Sequence, residues 1–133
     1  MRAVFLKRIT LNGAVFSGGG AGKKFLRLTW VKRQIKQKLG FVPYLGTLNV
    51  LLSEESAKRK KLLEKKCSMK ICPVEGYCNG MLFKALIGTL ECGIVIPEVA
   101  GYPKTFLEII APVNLRETLQ LEDGDEVTVT ISL

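Results

Sequence analysis

The chain has 133 residues, 47% hydrophobic and 24% charged, with 20 Lys and Arg against 12 Asp and Glu and no His. That size suits one domain hiding roughly two-thirds of its unfolded surface, and the formal charge of +8 favours polyanionic partners: nucleic acid, anionic lipid, or nucleotide and phosphate substrates. No apolar run reaches the ~18 residues of a membrane helix. The opening MRAVFLKRIT lacks a signal-peptide core, so the expectation is a cytoplasmic protein in a reducing compartment, with no membrane partner.

In chain order, Arg2 to Ser17 reads as extended structure with a hairpin-type break at Asn12-Gly13. Ser17-Gly18-Gly19-Gly20-Ala21-Gly22 follows, a run expected to be irregular. Thr29 is placed to cap a helix whose inner stripe is Val31, Ile35 and Leu39, with Trp30 beside it and Gly40 as the stop. Thr47 to Leu52 is strand-like. Ser53 then caps a helix with Glu54 and Glu55 in its first turn and Lys58, Arg59, Lys60, Lys61, Lys65 and Lys66 beyond, read as a solvated basic face.

After Gly80 the pattern returns to strands: MLFKALI, CGIVIP and FLEIIAP. Pro112 to Leu119 reads as a short helix and Asp123-Gly124 as a turn. In the last strand Val127, Val129, Ile131 and Leu133 alternate with Thr128, Thr130 and Ser132, a period of two that puts one face in a core. Strands that do not alternate with helices argue against a doubly wound sheet and for a compact barrel of mixed strands. Cys67, Cys72, Cys78 and Cys92 lack the spacing of a zinc ribbon and are expected to be free thiols.

Three segments carry chemistry. Gly18, Gly19, Gly20 and Gly22, with Lys23 and Lys24 behind them, can present backbone N–H groups and positive charge to phosphate oxygens, although the spacing is neither Walker A nor Rossmann. The same loop is equally a mobile hairpin tip. Thr47 and Asn49 lie on one face of a strand and offer hard neutral oxygens that suit Mg²⁺ when phosphates balance its charge, or they simply close the turn at Pro43 and Gly46. Glu108 is an acid in an apolar strand, so it needs a partner: a ligand hydroxyl or a nearby Lys or Arg. Pro112 then opens a segment whose backbone and Arg116 can meet a nucleotide.

Together these segments resemble the archaeal CTP-dependent riboflavin kinases. That family carries S-G-x-G-E-G, then G-F-x-P-Y-x-G-T-L-N, then x-I-I-A-P-x-x-L-R-E, then a D-G-D turn. The counterparts here are Ser17–Gly22, Gly40–Asn49, Glu108–Glu117 and Asp123–Asp125, in that order. The match runs from about Gly13 to Val129, with Ser53 to Phe83 a poor fit.

The resemblance implies a mainly β fold with short helices, a six-stranded cradle-loop barrel, and one kinase domain over 1–133. It implies transfer of the terminal phosphoryl of CTP to riboflavin, giving FMN and CDP, with Mg²⁺ as cofactor and no obligate protein partner. By motif, Gly18, Gly19, Gly20, Ala21, Gly22 and Lys23 would wrap the nucleotide, and Val113, Asn114, Leu115 and Arg116 would complete its pocket. Thr47 and Asn49 would hold the metal, Glu108 would contact the ribityl chain or the flavin phosphate, and Glu108 and Lys23 would be the catalytic residues.

Two positions depart from the family pattern: Ala21 stands where Glu is usual, and Ala100 where Thr is usual in the flavin site, with Tyr102 and Thr105 nearby as replacements. These losses motivate a second reading, a non-catalytic nucleotide- or flavin-binding regulatory barrel. A nucleic-acid-binding barrel is the weakest reading, because no aromatic residue interleaves with the Lys58–Lys66 run to form a stacking platform.

Overall fold

The structure, a computed structural model, describes residues 8–18, 21–66 and 69–132, with the backbone alone at 21–23. Its elements are β1 (Arg8–Phe16), α1 (Ala21–Leu26), α2 (Thr29–Leu39), β2 (Leu48–Leu52), α3 (Glu54–Lys65), β3 (Met69–Ile71), β4 (Gly80–Ile87), β5 (Leu90–Pro97), β6 (Phe106–Ile110), α4 (Leu115–Leu119) and β7 (Glu126–Ser132). The strands run β4-β5-β6-β2-β1-β7, and β7 returns to β4 through Ala85↔Ile131 and Leu86↔Thr130, closing a six-stranded barrel. β3 adds to β4 over Gly80–Leu82. Every pairing is antiparallel rather than mixed, as hairpins and short connections dictate.

Side-chain alternation divides the hydrophobic residues into two sets. Leu11, Val15, Val50, Phe83, Ile94, Leu107, Ile109, Val129 and Ile131 fill the barrel. Leu82, Val95 and Ile110 point outward and are covered by Leu26 of α1 and by Val31, Ile35 and Leu39 of α2. Each such buried aliphatic side chain contributes about 1.5–3 kcal/mol relative to exposure. α2 seats tightly at Gly93, where a Cβ would lie 2.4 Å from Leu39 Cδ1.

The helix over 29–39 carries its predicted stripe and ends at Gly40 in the left-handed region (φ 86°). Thr29 is not its cap. The cap position is Leu28, whose carbonyl accepts from both Val31 N and Lys32 N. Ser53 does cap α3, accepting from Ser56 N.

Four further expectations are corrected. β1 runs through Asn12-Gly13 unbroken, because it is flanked on both sides: Gly13 pairs with Leu52 of β2 and Val127 of β7. The missing side chain lets β2 approach, since a Cβ at residue 13 would sit 2.4 Å from Leu51 O. The glycine run is not irregular to its end, as α1 begins at Ala21. The basic helix is not wholly solvated: Lys60 is 3% exposed. Finally, Cys72 and Cys78 form a disulfide rather than two thiols. The bend between β3 and β4, pinned by a Val74–Tyr77 bridge and by Gly76 at φ 85°, brings their Cα atoms within 3.8 Å. Cys92 is free and buried as expected, its thiol pushed up to about 12 by burial; Cys67 lies outside the described residues. Among the described residues, no helix is long and apolar enough to cross a membrane.

Candidate active site

The site is built on the outer face of the barrel beside α1. Register places Asn49 of β2 opposite Glu108 of β6, and Glu108 opposite Val95 of β5. These outward residues lie in one row, while their neighbours Val50, Leu107 and Ile109 point into the core. Thr47 precedes β2 where Gly46 (φ 143°) turns the chain, and Tyr44 N bonds Ala111 O at 2.7 Å, tying that turn to the segment after β6. Thr47 Oγ1 consequently stands 3.5 Å from Asn49 Oδ1 and 3.4 Å from Glu108 Oε1.

Gly18 closes the third side. A Cβ there would lie 2.4 Å from Asn49 Nδ2, so the start of the glycine turn packs against Asn49. The turn is held from behind: Ser17 Oγ donates to both oxygens of Asp123, and Arg116 Nη2 donates to Asp123 Oδ1 (2.7 Å) and to Phe16 O (3.1 Å). The Arg116 guanidinium and then Ser17 hold the Asp123 carboxyl below its ordinary range. Val15 N donates to Asp125 O and Gly124 N to Val15 O, docking the Asp-Gly-Asp turn on the end of β1.

Two cavities meet at Thr47. One, about 290 Å³, is mostly apolar: Phe25 and Leu26 of α1 face Val95, Pro97 and Gly80 of the barrel, with Asn79, Val99, Tyr102 and Glu108 on its walls. The other, about 150 Å³, is bounded by Tyr44, Gly46, Ile109 and Ala111 and by Val113, Asn114, Leu115 and Arg116. Asn114 caps α4 by accepting from Glu117 N and donates to Tyr44 Oη. Leu115 is buried, its side chain packed in the barrel core.

Among the described residues, Glu108 finds its partners in hydroxyls rather than in an ion pair. Tyr102 Oη donates to Glu108 Oε2 at 2.7 Å. Burial, then the bond to Glu108, raises the Tyr102 phenol above its ordinary value, so it remains a donor. Behind it, Lys60 Nζ sits 5.3 Å from the Tyr102 ring centroid and donates to Phe106 O (2.8 Å) and Lys104 O (3.2 Å). Burial lowers the Lys60 pKa, against the opposing pull of Glu64 and Glu108.

The structure thus brings Gly18, Thr47, Asn49 and Glu108 together and lays Val113–Arg116 beside them. Gly19 and Gly20 lie outside the described residues, as does the Lys23 side chain; the backbone of Ala21, Gly22 and Lys23 forms the first turn of α1. Ala100 lies in an exposed turn, and Tyr102 provides the hydroxyl near Glu108. The sequence patterns do not single out Phe25, Leu26, Val95, Asn79 or Lys60 as site residues, although Phe25 and Leu26 follow the glycine run just beyond Lys23 and Lys24.

The oxygens of Thr47, Asn49 and Glu108 are hard donors of the type that suits a small divalent cation. Among the described residues no group of three or more His, Cys, Asp or Glu is placed to hold a metal, so a cation held by Thr47 and Asn49 would need its remaining ligands from phosphate and water.

A closed antiparallel barrel thus carries an acid and two neutral oxygen donors between two cavities. Residues 15–131 match the family model CTP-dep_RFKase, described as Domain of unknown function DUF120. Among curated proteins, the chain is 40% identical over 129 residues to a riboflavin kinase of Ignicoccus hospitalis, covering 94% of this chain and 72% of that one. It is 37% identical over 130 residues to that of Methanosarcina barkeri (92% and 56%) and 40% over 132 to that of Pyrobaculum islandicum (94% and 61%). The chain belongs to the riboflavin kinase family that this model describes. It spans 56% to 72% of the length of these three relatives.

Proposed function

We propose that residues 1–133 form one kinase domain that moves the terminal phosphoryl of CTP to riboflavin, yielding CDP and FMN. The observation that supports it most is the position of Thr47, which borders both cavities and touches Glu108. In this reading the apolar cavity between Phe25 and Val95 takes the flavin ring, and the Val113–Arg116 cavity takes the nucleotide. Family membership supports the riboflavin half of the reaction, while CTP as donor rests on the name of the family model.

Phosphoryl transfer through a loose transition state asks chiefly for positioning and charge neutralisation. Glu108 accepts the hydrogen bond of the terminal ribityl hydroxyl and takes its proton as attack proceeds. Tyr102 holds the second carboxylate oxygen, leaving Oε1 toward Thr47 for the substrate. Backbone N–H groups from Gly18 to Lys23 and the Lys23 ammonium cradle the phosphates, and the Ser17–Asp123–Arg116 clip fixes where that cradle starts. Thr47 and Asn49 would hold Mg²⁺, which when bound supplies neutralising charge to the phosphates.

Incubation with riboflavin, Mg²⁺ and a panel of CTP, ATP, GTP and UTP, followed by chromatography, tests the reading. FMN is expected with CTP above the others. Absence of FMN with every nucleotide overturns it.

A further inference from the structure

Within the apolar cavity the polar lining side chains are Thr47, Tyr102, Glu108 and Asn79. The first three bond to one another. Asn79 stands apart: its Oδ1 is buried and has no hydrogen-bond partner among the described residues. A buried orphaned acceptor costs stability and calls for an explanation.

The backbone around it is firmly held. Asn79 N donates to Ile71 O (3.0 Å) and Asn79 O accepts from Glu98 N (2.8 Å), anchoring the residue between the ends of β3 and β5. Its neighbour Cys78 is bonded to Cys72, and Cys72 exchanges a pair of hydrogen bonds with Gln34 of α2. A fixed backbone carrying an unsatisfied acceptor, in a residue that lines an apolar cavity, is the construction of a ligand-reading group. An amide offers an acceptor and two donors side by side. Its chemical complement is an imide edge, an N–H flanked by carbonyls, and the pyrimidine side of a flavin ring presents that edge.

We infer that Asn79 reads the imide edge of the flavin ring, accepting from ring N3–H through Oδ1 and donating to an adjacent ring carbonyl through Nδ2. The inference rests on the riboflavin reading above. It assigns ring recognition to the β3–β4 bend, within the stretch from Ser53 to Phe83 that fits the family pattern poorly, and leaves Glu108 and Thr47 to the ribityl end.

The test uses the whole chain and equilibrium quenching of flavin fluorescence, with riboflavin and N3-methylriboflavin as probes and no nucleotide. Wild type is expected to bind riboflavin about five- to tenfold tighter than the methylated probe, the span of one or two neutral hydrogen bonds. In Asn79→Leu and Asn79→Ala that preference is expected to shrink to within about twofold, through loss of riboflavin affinity. Equal affinity of wild type for the two probes overturns the inference whether or not the variants fold, and so does a preference that survives in either variant. Failure of wild type to bind either flavin overturns the riboflavin reading itself, a result distinct from binding without discrimination.

Discussion

Gly18 and Asn49 are packed so closely that a methyl group on residue 18 would come within 2.4 Å of the Asn49 amide nitrogen. They are 31 positions apart in sequence, and their contact joins the proposed phosphate cradle to the proposed metal ligands. Gly18→Ala must displace the Asn49 side chain or the turn. Displacement of a positioning group by about 1 Å is costly to turnover, so kcat/KM for FMN formation is expected to fall about tenfold or more. The urea midpoint should move little, since neither residue belongs to the hydrophobic core. Steady-state kinetics beside urea denaturation checks both halves.

Thr47→Ala combined with Asn49→Ala removes two oxygen donors from the junction of the cavities. Turnover at fixed Mg²⁺ is expected to drop about 100-fold, with a rise in the Mg²⁺ concentration needed for half-maximal rate. Both side chains are only half-buried, so stability should change by less than about 1 kcal/mol. Wild-type turnover in the double variant would remove the metal assignment.

Lys60 donates to the carbonyls of Phe106 and Lys104 from a buried position. Lys60→Met keeps the aliphatic length but leaves both carbonyls unpaired, at an expected cost of about 1–3 kcal/mol in urea unfolding. A pH signature accompanies it. Because the folded-state pKa of Lys60 lies below its ordinary 10.5, the unfolded chain holds a proton that the native chain has released. Wild-type stability therefore gains with rising pH in the window between the folded value and 10.5. Lys61 titrates in the same sense, chiefly through its contact with Lys104, so the decisive quantity is the part of the slope lost in Lys60→Met.

The Ser17–Asp123–Arg116 clip should be sensitive to acid. The Asp123 pKa is held below its ordinary 3.8, so its contribution is fully present above 3.8 and is lost as pH falls through the folded value. Asp123→Asn is expected to lower the denaturation midpoint slightly at neutral pH. Urea titrations between about pH 6 and pH 2 should show the gap between wild type and variant closing at the acid end. A gap independent of pH would mean that the carboxylate is not what holds the turn.

The regular elements were legible to different degrees. The alternation of Val127, Val129 and Ile131 and the stripe of Val31, Ile35 and Leu39 are local periodicities, and both appear as read. Asn12-Gly13 misled because a turn dipeptide and a close-packed glycine look alike along the chain. Only the arrival of Leu51 O against residue 13 distinguishes them. The three-residue strand β3 is too short to carry a period, and it exists because β4 offers an unpaired edge. Cys72 and Cys78 became a disulfide through a bend that spacing did not encode.

Of the site, the residues that touch phosphate-type chemistry were readable because their types are chemically special: glycines before lysines, Thr-x-Asn, an acid in an apolar strand. By itself the sequence determined those functional groups, their order, and the two-fold and helical patterns that separate core from surface. Tertiary structure alone decided their company. Barrel closure sets Glu108 opposite Asn49, lays Gly18 against it, brings Tyr102 and Lys60 behind it, and opens an apolar slot under Phe25. Register and closure depend on contacts between residues far apart in the chain, and no local pattern carries that information.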